Sequence, residues 1–374
     1  MDPIYNYSLC AALPLMLFFG FYFLLGRTPE KAIFENYLRS RRIMGVAMLL
    51  LAANYSVHFF MKVRFNDADA AILMNLSTYF LCYWLFSSAF TTLLDRNYIT
   101  GRRLLAHMSL WVLYSAISCI VLKLLPEGNF QTVSILVLAV CLVAYGLFLT
   151  WRLLRTYHMV IRMFDATHSD DIGAYIKWLS VVTYWAVIFG VGCGLLTFLP
   201  DRYVYIWILM SIPFYIYLFL CYLNYLLFYE QVESAMETYK DKEEDRSESG
   251  PTQETPSYHA EIAEKIKGWI NADGYVRTGL TIKDLSEQLH TNRTYLSEYI
   301  NTTYGVSFRD WITGLRIEYA KRLLVQYPKL TLADISERSG FLSPSHFIRL
   351  FKEKPAVLLQ NGENHSNVKV TEIA

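Results

Sequence analysis

Apolar and polar positions are distributed very unevenly along this chain of 374 residues. Long apolar runs alternate with short charged loops up to Tyr229, and from Glu230 onward the sequence becomes polar. A bilayer core of about 30 Å is crossed by about 20 helical residues, and seven runs reach that length. The pattern therefore predicts an all-α protein whose N-terminal part is a bundle of seven transmembrane helices. The runs are Tyr7–Gly26, Ile43–Met61, Ala70–Leu94, Leu104–Leu122, Thr132–Trp151, Trp178–Leu199 and Tyr203–Tyr229.

The polar part divides further by composition. Residues 230–258 are charged and then rich in Ser, Gly, Pro and Thr, which is typical of a linker without enough apolar surface to fold alone. Its first half continues the helical pattern of the seventh span. We therefore expect a seven-span domain at 1–229, a linker at 230–258, a helical domain at 259–355 and a tail at 356–374.

Basic residues are concentrated in alternate loops of the apolar part. Twelve Lys and Arg residues lie in the loops after spans one, three and five, against four in the loops after spans two, four and six. Basic loops face the cytoplasm. The sequence therefore predicts a multi-pass protein of the cytoplasmic membrane, embedded in the lipid bilayer, with its N-terminus outside and its C-terminal domain in the cytoplasm.

The helical domain contains two stretches with the pattern of a short helix, a tight turn and a second helix. In the first, we expect Thr281 to cap a helix that ends at Leu289, and a second helix to begin at Arg293 and end at Gly305. In the second, Thr331 is the predicted cap, Gly340 lies at the turn, and the last helix covers 343–354. The residues predicted to face inward are Ile282, Leu285, Leu289, Leu296, Ile300, Leu332, Ala333, Ile335, Phe347 and Phe351.

A long helix is predicted between these two stretches, with Ser307 as its cap and Trp311, Leu315, Tyr319 and Leu323 along one stripe. About 19 helical residues extend about 28 Å at 1.5 Å per residue. Successive major grooves on one face of B-DNA lie about 34 Å apart. A rigid spacer of this length would let one chain reach two successive grooves.

These residues resemble the DNA-binding domain of the AraC/XylS family of bacterial transcription regulators. The resemblance covers residues 261–354 and rests on SFRDWITGLRIEYAKRLL and LTLADISERSGFLSPSHFIRLFKEK. It implies two helix-turn-helix units joined by a long helix and binding to double-stranded promoter DNA. After F-K the family continues with a Gly, a Ser/Thr-Pro and a Tyr-Arg that form a closing helix. Here Pro355 and an unrelated tail follow, so we expect that closing helix to be missing or replaced.

The outward positions of the two second helices are the candidate DNA contacts, and the resemblance points to the same positions. Arg349 is the best candidate for a bidentate contact to a guanine edge, while Lys352 and Arg293 suit phosphate contacts. The alternative is that these side chains form ordinary solvated faces. The candidates are Arg293, Thr294, Ser297, Glu298, Ser343, Ser345, His346, Arg349 and Lys352.

Net charge adds one constraint on the DNA partner. The whole chain has a formal charge of +1, and residues 259–355 contain 14 basic and 11 acidic residues, a difference of +3. This small excess predicts sequence-specific binding that needs either a homodimer or two sites, because strong non-specific binding requires many phosphate contacts.

Two polar residues in the second span form the candidate ligand pocket. Asn54 and His58 are four residues apart and share a helix face. Polar residues within a membrane favour a functional role, here the wall of a pocket for an unknown ligand or signal. The alternative is interhelical hydrogen bonding.

Motifs of enzymes and metal sites are not found in the sequence. It contains no G-x-S-x-G, phosphate-binding Gly loop, H-E-x-x-H or Cys/His metal spacing, so we expect no catalytic residue, metal or cofactor. The preferred interpretation is a membrane-embedded one-component transcription regulator. Alternatives are a membrane receptor or carrier whose AraC-like tail is a protein-interaction or degenerate module, and a membrane enzyme.

Overall fold

The computed structural model describes residues 3–126, 128–170, 173–196, 201–248 and 256–353. These residues form helices and, within those ranges, no β-strand, which confirms the all-α fold class. The chain divides into two compact units. The apolar unit comprises residues 1–163 and 172–245, and the C-terminal unit comprises residues 164–171 and 246–374.

Eight α-helices and one turn of 3-10 helix, Ala32–Phe34, begin in the described part of the apolar unit. Six of them are long and apolar enough to cross a membrane, and they coincide with predicted spans one to five and seven. The predicted sixth span lies on α7, of which the side chains are described for Tyr175–Gly190, so the count of seven stays a prediction. The helices are α1 Pro3–Leu25, α2 Glu35–Met61, α3 Val63–Asn66, α4 Ala68–Leu94, α5 Gly101–Leu124, α6 Asn129–Thr167, α7 Gly173–Leu196 and α8 Asp201–Glu248.

Polar contacts between helices fasten the apolar unit where its side chains are buried. Asn36 donates to the carbonyl oxygen of Thr92 at 2.7 Å, which joins α2 to α4. The Tyr37 hydroxyl donates to the carbonyl oxygen of Tyr222 at 2.8 Å, which joins α2 to α8. Hydrogen bonds of this kind hold helices together because their buried donors and acceptors have no water to bond to.

Helix α8 continues well beyond the predicted seventh span, as the sequence of the linker indicated. Near the end of the span, Glu233 is buried and its carboxylate lies 2.6 Å from the Nε atom of Arg96. The Tyr229 hydroxyl donates to the same carboxylate at 2.7 Å. A buried carboxylate needs such partners because water cannot solvate it. These contacts fix the point where the helix leaves the apolar stretch.

Six helices and one turn of 3-10 helix, Gly274–Val276, form the described C-terminal region. Ile262, Leu285, Leu296 and Trp311 belong to a large core beneath the first helix-turn-helix motif. A smaller core contains Ile317, Ile335 and Phe347 beneath the second motif. The helices are α9 Pro256–Asn271, α10 Ile282–Gln288, α11 Arg293–Tyr304, α12 Phe308–Gln326, α13 Leu332–Arg338 and α14 Pro344–Glu353.

The two motifs, α10–α11 and α13–α14, are built in the same way. Thr281 caps α10 and Thr331 caps α13, each through a capping box with the Asp three residues later. Both turns reuse one hydrogen-bond pattern, with the Thr291 amide donating to the Ser286 carbonyl at 2.9 Å and the Phe341 amide to the Ser336 carbonyl at 3.0 Å. These predicted caps and turns are confirmed.

Two predicted core positions in the second motif are wrong. Leu332 is 47% exposed and Ala333 is also exposed, whereas the equivalent Ile282 in the first motif is buried. The reason is the neighbouring structure. In the first motif α9 and the 3-10 turn complete the core, but no described element covers the start of α13 in the same way.

Residues 356–374, predicted to be an atypical tail, lie outside the described residues, as do 249–255 of the predicted linker. The described helix of the second motif ends at Glu353. The prediction that the closing helix is missing or replaced therefore stays a prediction.

Candidate nucleic-acid interface

The four candidate residues of α11 lie on the side of the helix away from its core. Thr294 and Glu298 are exposed, and Arg293 and Ser297 are half-buried. On the opposite side Leu296 is fully buried in the large core. Asn292 caps the helix by accepting from the Thr294 amide at 2.7 Å, so the start of the helix is fixed and its outward residues have a defined direction.

Helix α14 presents a more continuous polar face. Ser345, Arg349 and Lys352 are exposed, and their spacing of four and three residues places them on one side of a helix. Ser343 and His346 are half-buried. The His346 ring lies edge-on to Phe341, with 6.4 Å between ring centroids, so it contributes to packing as well as to the outward face.

The helix between the motifs has the length that the sequence predicts. It contains 19 residues, and the Ser307 hydroxyl caps it by accepting from the Asp310 amide at 3.1 Å. Trp311 and Leu323 of the predicted stripe are buried, while Leu315 and Tyr319 are partly buried. The stripe also contains Arg316, a buried residue that the sequence analysis did not single out.

Arg316 is 1% exposed and makes four hydrogen bonds. Its Nε atom donates to the carbonyl oxygen of Tyr275 at 2.9 Å and its Nη2 atom to that of Arg277 at 2.7 Å. The other two acceptors are the Asp170 carboxylate at 3.1 Å and the Ser169 hydroxyl at 3.2 Å. Burial lowers the pKa of this guanidinium, and Asp170 opposes the shift.

Those last two acceptors belong to residues 164–170, which follow the apolar part of α6 and form part of the C-terminal unit. The Ser169 amide donates to the Leu280 carbonyl at 3.0 Å, and the Gly279 amide donates to Asp170 at 2.9 Å. Asp165 pairs with Arg309 of α12 at 2.7 Å. This 164–170 segment is therefore bound directly to the start of the first motif and to the helix between the motifs.

Sequence reasoning missed this segment because its partners lie 109 to 147 positions away in the chain. One signal was available, namely an Arg on the apolar stripe of α12. A buried guanidinium needs acceptors for several N–H groups, so Arg316 predicts that acceptors lie nearby, although not which ones.

The two candidate pocket residues in the apolar unit both contact α4. Asn54 donates to the Thr78 hydroxyl at 3.1 Å, and the Nε2 atom of His58 lies 2.8 Å from the side-chain oxygen of Asn75. Each bond satisfies one polar atom of Asn54 or His58, and both bonds join α2 to α4, as the alternative of interhelical hydrogen bonding expects. A ligand role for Asn54 and His58 stays a prediction.

Comparison with known proteins bears on the C-terminal region. A family model described as a helix-turn-helix domain matches residues 285–358. The C-terminal part carries an AraC-type helix-turn-helix domain. The match begins within α10 and therefore includes α11, α14 and all nine candidate DNA-contact residues.

Similar proteins carry names of transcription regulators. An HTH-type transcriptional regulator of Escherichia coli strain K12, YijO, is 27% identical over 100 residues, which are 27% of this chain and 34% of that protein. YobQ of Bacillus subtilis strain 168, with the same description, is 40% identical over 72 residues, 19% of this chain and 30% of that protein. SAS0078 of Staphylococcus aureus strain MSSA476 is 36% identical over 73 residues, 20% of this chain and 10% of that protein.

The matched region therefore spans about a third or less of each of these relatives. No solved structure shows significant similarity to the chain. The similarity relates the helix-turn-helix region to transcription regulation and DNA binding.

Proposed function

We propose that this protein is a one-component transcription regulator of the cytoplasmic membrane, which binds promoter DNA under the control of a signal received by its apolar unit. One observation carries the proposal. Two capped helix-turn-helix motifs with outward candidate contact residues occur on the same chain as six helices long and apolar enough to cross a membrane.

The outward face of α14 suits direct reading of a base pair. The exposed Arg349 side chain can donate two hydrogen bonds to the N7 and O6 atoms of guanine. Ser345 lies one helical turn before it and Lys352 almost one turn after it. Hydroxyl and ammonium groups at such positions contact phosphates and set the register of the helix. Arg349 is the proposed source of base specificity, and the flanking residues orient it.

Helix α11, the second helix of the first motif, supplies a different set of groups. On α11 the proposed phosphate contact is Arg293, and Glu298 is exposed and can accept from the N4 amino group of cytosine. The 19-residue helix α12 separates the motifs by about 28 Å of helix. We propose that one chain contacts two successive major grooves, with a homodimer as the alternative source of affinity.

The 164–170 segment supports control by a signal. It begins in the last turn of α6, an apolar helix. It supplies acceptors to Arg316 and Arg309 on α12. We propose that a change in the packing of α6 alters these contacts, and thereby the position of α11 relative to α14. The coupling needs no separate messenger.

A direct test measures DNA binding by the full chain in lipid nanodiscs, using fluorescence anisotropy with its own promoter region at fixed salt. Arg349→Ala should weaken binding by about 1–3 kcal/mol, or roughly tenfold to a hundredfold, the range for a lost bidentate base contact. Arg338→Ala removes an exposed Arg of α13 and is the matched control. No binding, or equal effects of the two variants, would contradict the proposal.

The proposed coupling is tested by exchanging the charges of the Asp165–Arg309 pair. Asp165→Arg and Arg309→Asp should each change DNA affinity, because each places two like charges in contact. The double variant restores an ion pair and should return the affinity toward that of the unmodified chain. Additive effects of the two changes would show that the pair does not couple segment and DNA binding.

Topology is tested with a reporter fused after the last residue. The proposal requires reporter activity in the cytoplasm, and activity on the outer side of the membrane would exclude DNA binding by this region in cells.

A membrane receptor with a protein-binding tail is the second candidate. Leu332 and Leu342 of the second motif are 47% and 56% exposed, and exposed leucines favour contacts with protein. This alternative predicts that neither leucine nor arginine substitutions change promoter affinity.

A further inference from the structure

A partly open cavity of about 110 Å³ lies in the apolar unit, between α2, α4, α6, α7 and α8. Its wall is apolar and rich in rings, among them Tyr79, Phe90 and Phe214, and no charged side chain lines it among the described residues. A protein cavity of about 150 Å³ with an apolar wall is known to bind benzene. The space here is smaller than that, so it can hold at most one ring, and its apolar wall favours an uncharged molecule.

The Tyr83 ring forms part of the cavity wall and is held in place by close contacts with α6 and α7. A Cβ atom on Gly146 would lie 2.8 Å from the Tyr83 ring, and one on Gly190 would lie 3.1 Å from it. The Tyr83 hydroxyl donates to the Gly190 carbonyl. Two glycines on α6 and α7 thus leave room for this ring, and any larger residue at Gly146 would force the ring to move.

Ser87 is one of the residues that line the cavity. Its hydroxyl oxygen is buried and has no hydrogen-bond partner among the described residues. Other hydroxyls of these helices bond to the carbonyl four residues earlier, as Thr91 does at 2.7 Å and Thr183 at 2.6 Å. A buried hydroxyl without a partner is costly, and a ligand with a hydroxyl group would satisfy it.

We propose that this cavity binds a small uncharged molecule of the phenol class, with one ring among the aromatic side chains and its hydroxyl group on Ser87. Aromatic side chains attract such a ring by edge and face contacts. The inference rests on the proposed function for its role as the controlling signal, but the binding itself does not depend on DNA. The site differs from the Asn54–His58 pair, which does not line the cavity.

The test uses the full chain in nanodiscs, photolabelled with 4-azidophenol and analysed by mass spectrometry of its peptides. Label should be found on residues that line the cavity, and 4-methylphenol should displace it. Toluene, which lacks the hydroxyl group, should displace it less well at equal concentration in the membrane. Ser87→Ala should weaken displacement by 4-methylphenol about fivefold, the factor for one net hydrogen bond.

Ser88→Ala is the matched control, because the Ser88 hydroxyl is also buried and without a partner among the described residues but does not line the cavity. It should leave displacement unchanged. Val187→Trp fills the cavity and should abolish labelling, and the Ser87 and Ser88 variants decide the question if that protein does not fold.

Label spread over lipid-facing residues, or label that 4-methylphenol does not displace, would overturn the proposal. A cavity filled by lipid acyl chains would give label that 4-methylphenol does not displace. DNA affinity is measured on the same samples. Displaceable cavity labelling without any DNA binding would contradict the proposed function and leave the ligand site standing, whereas DNA binding without cavity labelling would do the reverse.

Discussion

The first and second helix-turn-helix motifs have the same local design but different support. Each begins with a Thr-x-x-Asp capping box and ends its first helix in a turn with positive φ, at His290 and at Gly340. The first motif packs on a large core with two tryptophans, Trp269 and Trp311, whereas the second packs on a smaller core. Local sequence therefore sets the motif, and tertiary neighbours set how firmly it is held.

Buried hydroxyls show the same difference. In the first motif the Ser286 hydroxyl donates to the Lys283 carbonyl at 2.8 Å. In the second, the equivalent Ser336 and also Ser339 have buried hydroxyl oxygens without a partner among the described residues. Unsatisfied buried groups reduce stability. We therefore expect the second motif to open more readily than the first, which hydrogen exchange can measure.

The largest effect is expected from Arg316, whose buried hydrogen bonds join α12 to the residues that precede the first motif. Arg316→Ala removes the donor to two backbone carbonyls and the cationic partner of the Asp170 carboxylate, which keeps only the Gly279 amide among the described residues. It should destabilise the C-terminal unit by roughly 3 kcal/mol, as loss of one partner of a buried ion pair does. Hydrogen exchange of α10 and α11 should accelerate most.

Arg322→Ala is the control for that variant, because Arg322 lies on the same helix with its side chain 65% exposed. It should change exchange little. Equal protection of α10 in the Arg316 and Arg322 variants would show that the buried arginine does not support the motif.

The turns offer the next comparison. Gly340 has φ 79°, and a Cβ atom there would lie 2.2 Å from the Val276 carbonyl oxygen. Gly340→Ala should therefore cost at least about 1–2 kcal/mol from the left-handed conformation alone, with the clash in addition. His290→Gly, at φ 49°, should be neutral or stabilising because glycine accepts this conformation. Thermal unfolding in nanodiscs measures both, and equal shifts would contradict this account of the turns.

Substitution of the two helix-capping threonines should have a smaller effect on stability, and the same change can be made in both motifs. Thr281→Ala and Thr331→Ala each remove a side chain that accepts an amide hydrogen bond, at a cost of about 1 kcal/mol. We expect the same change in energy to open α13 more than α10, since the second motif begins with less support. Hydrogen exchange that rises equally in both helices would remove the proposed asymmetry.

The smallest expected effect is a dependence on pH. Hydrogen bonds from Thr331 lower the pKa of Asp334, so its ionised form stabilises the cap of α13. That contribution is fully present above the ordinary pKa of an aspartate and is lost as the pH falls through the lowered value. Helix α13 should lose protection below about pH 4, and Asp334→Asn should remove that dependence. A pH profile unchanged by this substitution would contradict the assignment.

Much of the C-terminal fold follows from local sequence signals. Thr281, Ser307 and Thr331 are predictable caps because a Thr or Ser followed three residues later by an acidic residue satisfies exposed amides at a helix start. Gly305 and Gly340 are predictable turns because glycine accepts positive φ. These signals also place the outward candidate residues of α11 and α14.

Other features depend on residues distant in sequence and could not be predicted in this way. Periodicity placed Leu332 inside, but its burial depends on whether another element covers α13. The contacts of Arg316 with Ser169 and Asp170 join regions far apart in the chain. Hydropathy predicted seven spans, and six helices among the described residues are long and apolar enough to cross a membrane, so the seventh stays a prediction.

Methylation protection of guanine N7 atoms by the full chain in nanodiscs tests the central claim most directly. The account predicts protection in two successive major grooves, about 10 base pairs apart, with Arg349→Ala removing protection in one groove only. No protection of promoter DNA, or protection that is the same with Arg349→Ala, would contradict it.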